Sequence, residues 1–244
     1  MRLLILAGTA EARQVAADLA GEPGMDVVAS LAGVTRAPQD LGVPTRVGGF
    51  GGRAGFRDWL AREKATAVLD ATHPFAAEIS LRSADVCSEL GMPYLQLLRP
   101  PWRPGEGDRW IFLDRPEEAA ERIPRDAAVL LAAGPRELES FRGLEGRPVF
   151  CRRIDPPATP FPFPGGRYIV GRPRRSAAEE RRLFERLGID WLVARNSGGD
   201  ASRAKLDGAR ELGLRVAMIR RPPQPKAPRA RTAAEAVAWA RGLK

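Results

Sequence analysis

The 244-residue sequence predicts an α/β fold, two lobes of similar size on mostly parallel sheets. Three observations predict it. Short apolar runs alternate with segments of helical periodicity, the pattern of βαβ units. Turn signals stand where strands hand over to helices, at Gly8-Thr9, Thr72-His73-Pro74, Gly134-Pro135 and Ser197-Gly198-Gly199. Near the middle, Arg99 to Asp108 holds three prolines and Trp102 and reads as a crossover segment.

Each element has a local warrant. Leu3 to Ala7 breaks at once into Thr9-Ala10-Glu11-Ala12-Arg13, so it is too short for a signal-peptide core and reads as the first strand. A helix follows over Glu11 to Ala20, then a second strand over Asp26 to Leu31. Ala65 to Leu69 is a further strand. Pro74 opens a helix to Leu90, where Gly91 and Pro93 end it; proline at a first helical position sacrifices no needed N–H. Tyr94 to Leu98 closes this set. In the second set, Ala128 to Ala132 is a strand ending in Gly134-Pro135, with a short helix through Phe141. Pro148 to Cys151 is the next strand, and Asp155 to Gly166, with five prolines, is a loop. Tyr168 to Val170 is a strand, and Ser176 caps a helix over Ala177 to Leu187. Trp191 to Ala194, a helix over Ser202 to Leu212, and Arg215 to Ile219 follow. Pro222 to Pro228 connects to a last helix, Ala233 to Arg241, which suits either half. The lobes are drawn as 1–108 and 109–244, with the cleft between them as the expected site.

Composition excludes several classes. No apolar run approaches the roughly 20 residues that span a bilayer, so no membrane is expected. Cys87 and Cys151 offer neither metal-ligand spacing nor a disulfide framework, which points to the cytoplasm and to no metal. The net charge is +9, and only four of the 39 basic residues are lysines. Such an excess attracts anions, either nucleic acid or a small molecule with several carboxylates or phosphates, and arginine forks suit both. The arginines are scattered and no recognised nucleic-acid motif occurs, so nucleic acid is set aside.

The motifs narrow the chemistry. Asp70-Ala71-Thr72-His73-Pro74-Phe75-Ala76 holds the only histidine of the chain, at the end of a buried strand where open α/β sheets bind ligands. His73 is a candidate for chemistry there; alternatively Thr72 or His73 caps the helix. Gly8 to Arg13 turns the first strand into its helix, as a pyrophosphate site does, although only one of the usual three glycines is present. An ordinary turn capped by Thr9 is the alternative. The end of strand two, Ser30 to Arg36, has no acid for a ribose and one arginine, which favours a 2′-phosphate and hence NADPH, or leaves Arg36 solvated. Gly48-Gly49-Phe50-Gly51-Gly52 reads as a ligand-contacting loop. Arg195-Asn196-Ser197-Gly198-Gly199 with Lys205 on the next helix suits an anion. Arg152, Arg153, Arg172, Arg174, Arg175, Arg220 and Arg221 recur near strand ends, where some suit carboxylates. Tyr94 and Tyr168 lack a lysine four residues on, and no G-x-S-x-G occurs. What survives is chemistry done by a cofactor.

Taken in order, these motifs resemble the precorrin-6A reductase family of cobalamin biosynthesis. The matching pieces are Gly8 to Arg13, Ser30 to Gly33, Arg46 to Gly52, Asp70 to Ala76 with Glu78-Ile79-Ser80, Arg99-Pro100 with Trp102, Asn196 to Gly199 with Lys205, and Ile219 to Pro222. The chain departs from the family pattern at Ala7 to Ala10, where Gly-Gly-Thr-Ser is frequent, and at Arg195, where lysine is. The resemblance implies NADPH-dependent reduction of one double bond of a tetrapyrrole rich in carboxylates, precorrin-6A to precorrin-6B. It also implies two Rossmann-like lobes, the first for NADPH and the second for substrate, and transient contact with neighbouring pathway enzymes. The cofactor set it implies is Gly8, Thr9, Ala10, Glu11, Arg13, Ser30, Arg36, Gly51, Asp70 and Thr72. The substrate set is His73, Arg99, Trp102, Asn196, Ser197, Gly198, Gly199, Lys205 and Arg220, with His73 also the candidate proton donor beside solvent and substrate. The cobalt-containing substrate, or another Rossmann enzyme of the pathway such as a methyltransferase, is the alternative.

Overall fold

The computed structural model describes residues 1–33, 40–153, 156–157, 159–171 and 176–243. Arg36 and the trio Arg172, Arg174 and Arg175 lie outside these residues. In chain order the first run is β1 (Arg2–Leu6), α1 (Ala10–Leu19), β2 (Asp26–Leu31), β3 (Thr45–Val47), α2 (Gly52–Arg62), β4 (Ala67–Asp70), α3 (Ala77–Glu89) and β5 (Tyr94–Leu97). The second is β6 (Arg109–Leu113), α4 (Ala119–Arg122), β7 (Val129–Ala132), a 3-10 segment (Pro135–Leu144), β8 (Val149–Arg153), β9 (Gly166–Val170), α5 (Ala177–Leu187), β10 (Trp191–Arg195), α6 (Ala204–Glu211) and β11 (Arg215–Ile219). The chain ends with β12 (Arg229–Ala230) and α7 (Ala233–Arg241). No helix among the described residues is long and apolar enough to cross a membrane.

Two units result, residues 1–100 with 222–244, and residues 101–221. The chain therefore divides at 100/101 instead of 108/109, and its last stretch belongs to the first unit, not the second. The reason is apolar: β12 adds beside β5 in parallel register, and α7 buries Ala236, Val237 and Ala240 in the core that α1 covers.

Each sheet has six strands, and every pairing is parallel. In the first unit, alternate residues sort onto two faces as strand pleating requires. Leu3, Ile5, Val27, Ala29 and Leu69 meet α1 and α7, whereas Leu4, Leu6, Val28 and Val68 meet Phe56, Trp59 and Leu60 of α2 and Val86 of α3. In the second unit Leu130, Leu192, Ala194, Val216 and Met218 pack under Phe184 of α5 and Leu206 and Ala209 of α6, with Trp102 in the same cluster.

Sequence reading found neither β3, α2, β6, α4 nor β12. Glycines at 52 and 55 hide α2, since they disfavour helix, although Phe56, Trp59 and Leu60 carry the i, i+3, i+4 spacing of a buried face. Pro74 to Ala76 form a turn, so α3 begins at Ala77, and the helix expected after Gly134-Pro135 is the 3-10 segment.

Candidate active site

Read from β3, the first sheet runs β3-β2-β1-β4-β5-β12. This is the strand order of the dinucleotide fold, which reverses between β1 and β4 and binds its ligand there. At that point the Gly8-Thr9 turn meets the turn after Asp70. The Thr9 hydroxyl accepts from Ala12 N at 3.1 Å, capping α1, and donates to Ala71 O at 2.9 Å. A Cβ on Gly8 would lie 3.7 Å from His73 N and 3.8 Å from Thr72 Cα, filling the gap between the turns. With Ala12 capped, the N–H groups of Ala10 and Glu11 remain for an anion at the helix start. Arg13 is exposed. Glu11 pairs with Arg99 at 2.7 Å, so a sequence-predicted cofactor residue and a sequence-predicted substrate residue neutralise each other.

The turn after β4 is held from several sides. Asp70, 1% exposed, accepts from Thr72 N at 3.0 Å, Thr72 Oγ1 at 2.7 Å and Tyr94 OH at 2.8 Å. Gln224 Nε2 donates to Pro74 O at 2.9 Å, bringing the C-terminal return onto the same turn. Burial first, and Asp70 second, push the Tyr94 phenol far up and the Cys87 thiol up to about 12. Asp70 and Thr72 thus build the turn. His73 Nδ1 accepts from Phe75 N at 3.2 Å, tying the ring to the turn it stands on. Neither Thr72 nor His73 caps α3, whose N-cap is Ala76 with no side-chain hydrogen bond.

Beside β1, the ends of β2 and β3 bring Ser30 and Arg46 into register. Arg46 Nη1 donates to Ser30 Oγ at 2.7 Å and Gly48 O at 2.9 Å, and Nη2 donates to Gly49 O at 2.9 Å. The guanidinium lies 4.0 Å from the Phe50 ring centroid. Desolvation, then the charge of Arg62, hold its pKa below the ordinary arginine value. Gly51 has φ 77° and starts α2 in a left-handed conformation that suits glycine. Sequence reading quoted Arg46 in a motif but gave it no role; the signal it lacked was strand β3, which sets Arg46 opposite Ser30.

The second sheet runs β9-β8-β7-β10-β11-β6 and reverses between β7 and β10. The Asn-Ser-Gly-Gly turn leaves β10 at that reversal, with Gly198 at φ 66° and Gly199 at φ 77°. Asn196 Oδ1 accepts from Trp102 N at 2.8 Å and its Nδ2 donates to Trp102 O at 3.0 Å. Trp102 Nε1 donates to Gly199 O at 2.9 Å. Asn196 and Trp102, both buried, fasten each other, while Lys205 Nζ sits 5.0 Å over the Trp102 ring and donates to Ser202 O at 2.7 Å. Ser197 and Gly198 are buried within the turn. Two further arginines shape it. Arg221 Nε donates to Asn196 O at 2.8 Å, and Arg195 pairs at 2.7 Å with Glu137, which also accepts from Gly134 N at 3.0 Å. Arg220 is exposed, its guanidinium 4.8 Å from the Phe112 centroid.

Two α/β units, each on a sheet of six parallel strands and the first with the strand order of the dinucleotide fold, define a protein of the α/β class. No group of three potential metal ligands occurs among the described residues. The profile of the precorrin-6x reductase CbiJ/CobK family matches residues 2–241, and the chain belongs to that family. It is 41% identical over 240 residues to the precorrin-6A reductase of Rhodococcus erythropolis, covering 98% of this chain and 96% of that one. It is 40% identical over 225 residues to the precorrin-6A reductase of Rhodobacter capsulatus, covering 92% and 89%. A solved structure described as CobK precorrin-6A reductase superposes with a TM-score of 0.93 at 38% identity, covering 99% of this chain and 96% of that one.

Proposed function

We propose that the protein reduces one carbon–carbon double bond of precorrin-6A to give precorrin-6B, with NADPH as reductant, in the cytoplasm. The observation that carries this reading is the 41% identity, over nearly the whole of both chains, to a relative named for that activity. The first unit is the nucleotide lobe and the second contributes to substrate binding.

The first unit fits a nicotinamide dinucleotide. Its strand order, the gap at Gly8 and the open N–H groups at the start of α1 are the features such a ligand needs. Bound NADPH supplies the hydride. Gly8, Thr9, Ala10 and Glu11, with Arg13 nearby, hold the pyrophosphate, and the end of β2 holds the adenosine ribose. Asp70 and Thr72 keep the following turn rigid, and His73 on that turn meets the substrate. Ser197, Gly198, Gly199, Lys205 and Arg220 meet the carboxylates of the macrocycle. Reduction of the double bond needs a proton as well as a hydride. His73, solvent or a substrate carboxyl supplies that proton.

The test is anaerobic incubation with precorrin-6A, following nucleotide absorbance and pigment spectrum together. Loss of both with NADPH and not with NADH supports the reading. Turnover only of cobalt-precorrin-6A moves the protein to the cobalt-containing substrate, and no turnover of either overturns the proposal. Near-normal turnover by His73→Ala removes His73 from the chemistry.

A further inference from the structure

We infer that Arg46, set against Ser30, selects a nucleotide that carries a 2′-phosphate; this rests on the nicotinamide-nucleotide reading above. A dinucleotide fold that takes NAD keeps an acidic side chain at the end of β2, about 20 residues after the glycine turn, for the ribose hydroxyls. Here that place belongs to Ser30, small and 6% exposed, and the strand beside it presents a guanidinium in register.

The geometry of that guanidinium suits a phosphate. Arginine has five N–H donors. Three of those on Arg46 are engaged, with Ser30 Oγ, Gly48 O and Gly49 O. Nε–H and one Nη2–H remain, two donors of the kind that grip a phosphate by two oxygens. Stacking on Phe50 and the two carbonyl contacts fix the plane, so little side-chain freedom is lost on binding. No carboxylate pairs with Arg46 among the described residues. Burial and the charge of Arg62 both press against its positive form, and a phosphate dianion relieves both. An arginine that only closed the Gly48-Gly49 loop would not need to stand beside the one strand end where the two nucleotides differ.

The test compares 2′,5′-ADP with 5′-AMP by calorimetry on the whole protein, without substrate. The wild type is expected to prefer 2′,5′-ADP. Arg46→Met should cut that preference about 10- to 100-fold, the weight of a charged two-point contact, with AMP affinity little changed. Ser30→Asp leaves the loop contacts in place but puts a carboxylate beside Arg46, and should reverse the preference. An Arg46→Met variant that keeps the preference, or weakens both nucleotides equally, overturns the inference, as does a Ser30→Asp variant that still prefers 2′,5′-ADP. Equal binding of both nucleotides by the wild type refutes it while nucleotide binding stands. Binding of neither removes the underlying reading as well.

Discussion

Asn196→Asp separates a residue that fastens the site from one that meets a ligand. The Asn196 amide is 6% exposed and exchanges two hydrogen bonds with the Trp102 backbone, at 2.8 and 3.0 Å. Aspartate keeps the acceptor that faces Trp102 N–H. Its second oxygen, however, faces Trp102 O where Nδ2 now donates. The loss of one hydrogen bond costs about 1 kcal/mol, and an ion facing a carbonyl in a buried site adds several more. Arg221, which donates to Asn196 O at 2.8 Å, offsets part of this, so about 3 kcal/mol is expected near neutrality. The sign of the pH dependence follows. A carboxyl disfavoured as an ion has a folded pKa above its unfolded value, so the folded state keeps a proton that the unfolded state has lost. The variant then loses about 1.4 kcal/mol per pH unit as pH rises from its unfolded pKa of about 4 toward its folded one. Below that range the neutral acid donates to Trp102 O and the deficit closes. Urea unfolding of wild type and variant, compared at acid and at neutral pH, measures both quantities. Asn196→Ala, with no group to titrate, should be destabilised without that pH dependence. An aspartate variant within about 0.5 kcal/mol of wild type at neutral pH, or a deficit that does not close in acid, refutes the reasoning.

Three shorter predictions follow from other contacts. Thr9→Val removes both the cap on Ala12 N and the tie to Ala71 O, and should cost about 1–2 kcal/mol in urea unfolding and weaken NADPH in a binding titration. Arg147, 4% exposed, donates to the carbonyls of Pro124, Gly143, Ala120 and Ile123. Arg147→Met orphans these acceptors and should cost about 3–4 kcal/mol in unfolding of the second unit, with 2′,5′-ADP affinity unchanged. Burial raises the Cys87 thiol to about 12 and Cys151 to about 11, so neither should react with a disulfide reagent near pH 8 until urea is added. Because the folded values lie above the unfolded one, this contribution to stability is complete below about pH 8.5 and is lost as pH rises toward 11–12.

The order of strands and helices was largely legible because fully buried parallel strands read as apolar runs, as Leu3 to Leu6 and Trp191 to Ala194 do. What escaped was structure whose apolar signal is short or interrupted. β3 is three residues with Val47 exposed, β12 is two, and α2 opens on glycines ahead of its buried stripe. The consequence reached the site, because without β3 nothing sets Arg46 beside Ser30. The two reversal turns were found from their glycines, but the partners of each side chain were not. Asp70, Asn196 and Arg99 are residue types that serve a ligand or a neighbouring backbone equally well, and only distance separates those roles. The return of residues 222–244 to the first unit was hidden for a similar reason: an apolar helix face states that it is covered, not by what.

At the proposed phosphate site, the Arg99–Glu11 pair predicts that charge acts through a second residue. Glu11 lies in the first turn of α1, where its carboxylate would repel a phosphate approaching the open N–H groups. Arg99 meets it at 2.7 Å, and the two side chains are 14% and 26% exposed, shielded enough from water for the pairing to matter. Removing the guanidinium alone leaves Glu11 uncompensated, and in a partly screened setting its repulsion of a phosphate is worth about 1 kcal/mol, roughly five- to tenfold in affinity. Arg99→Gln should therefore weaken 2′,5′-ADP by about that factor, and Glu11→Gln added to it should restore binding. A direct contact between Arg99 and the ligand predicts the opposite, a double variant as weak as the single one. Recovery in the double variant identifies Arg99 as the residue that makes Glu11 tolerable at a phosphate site, a role that depends on their distance and not on their positions in the chain.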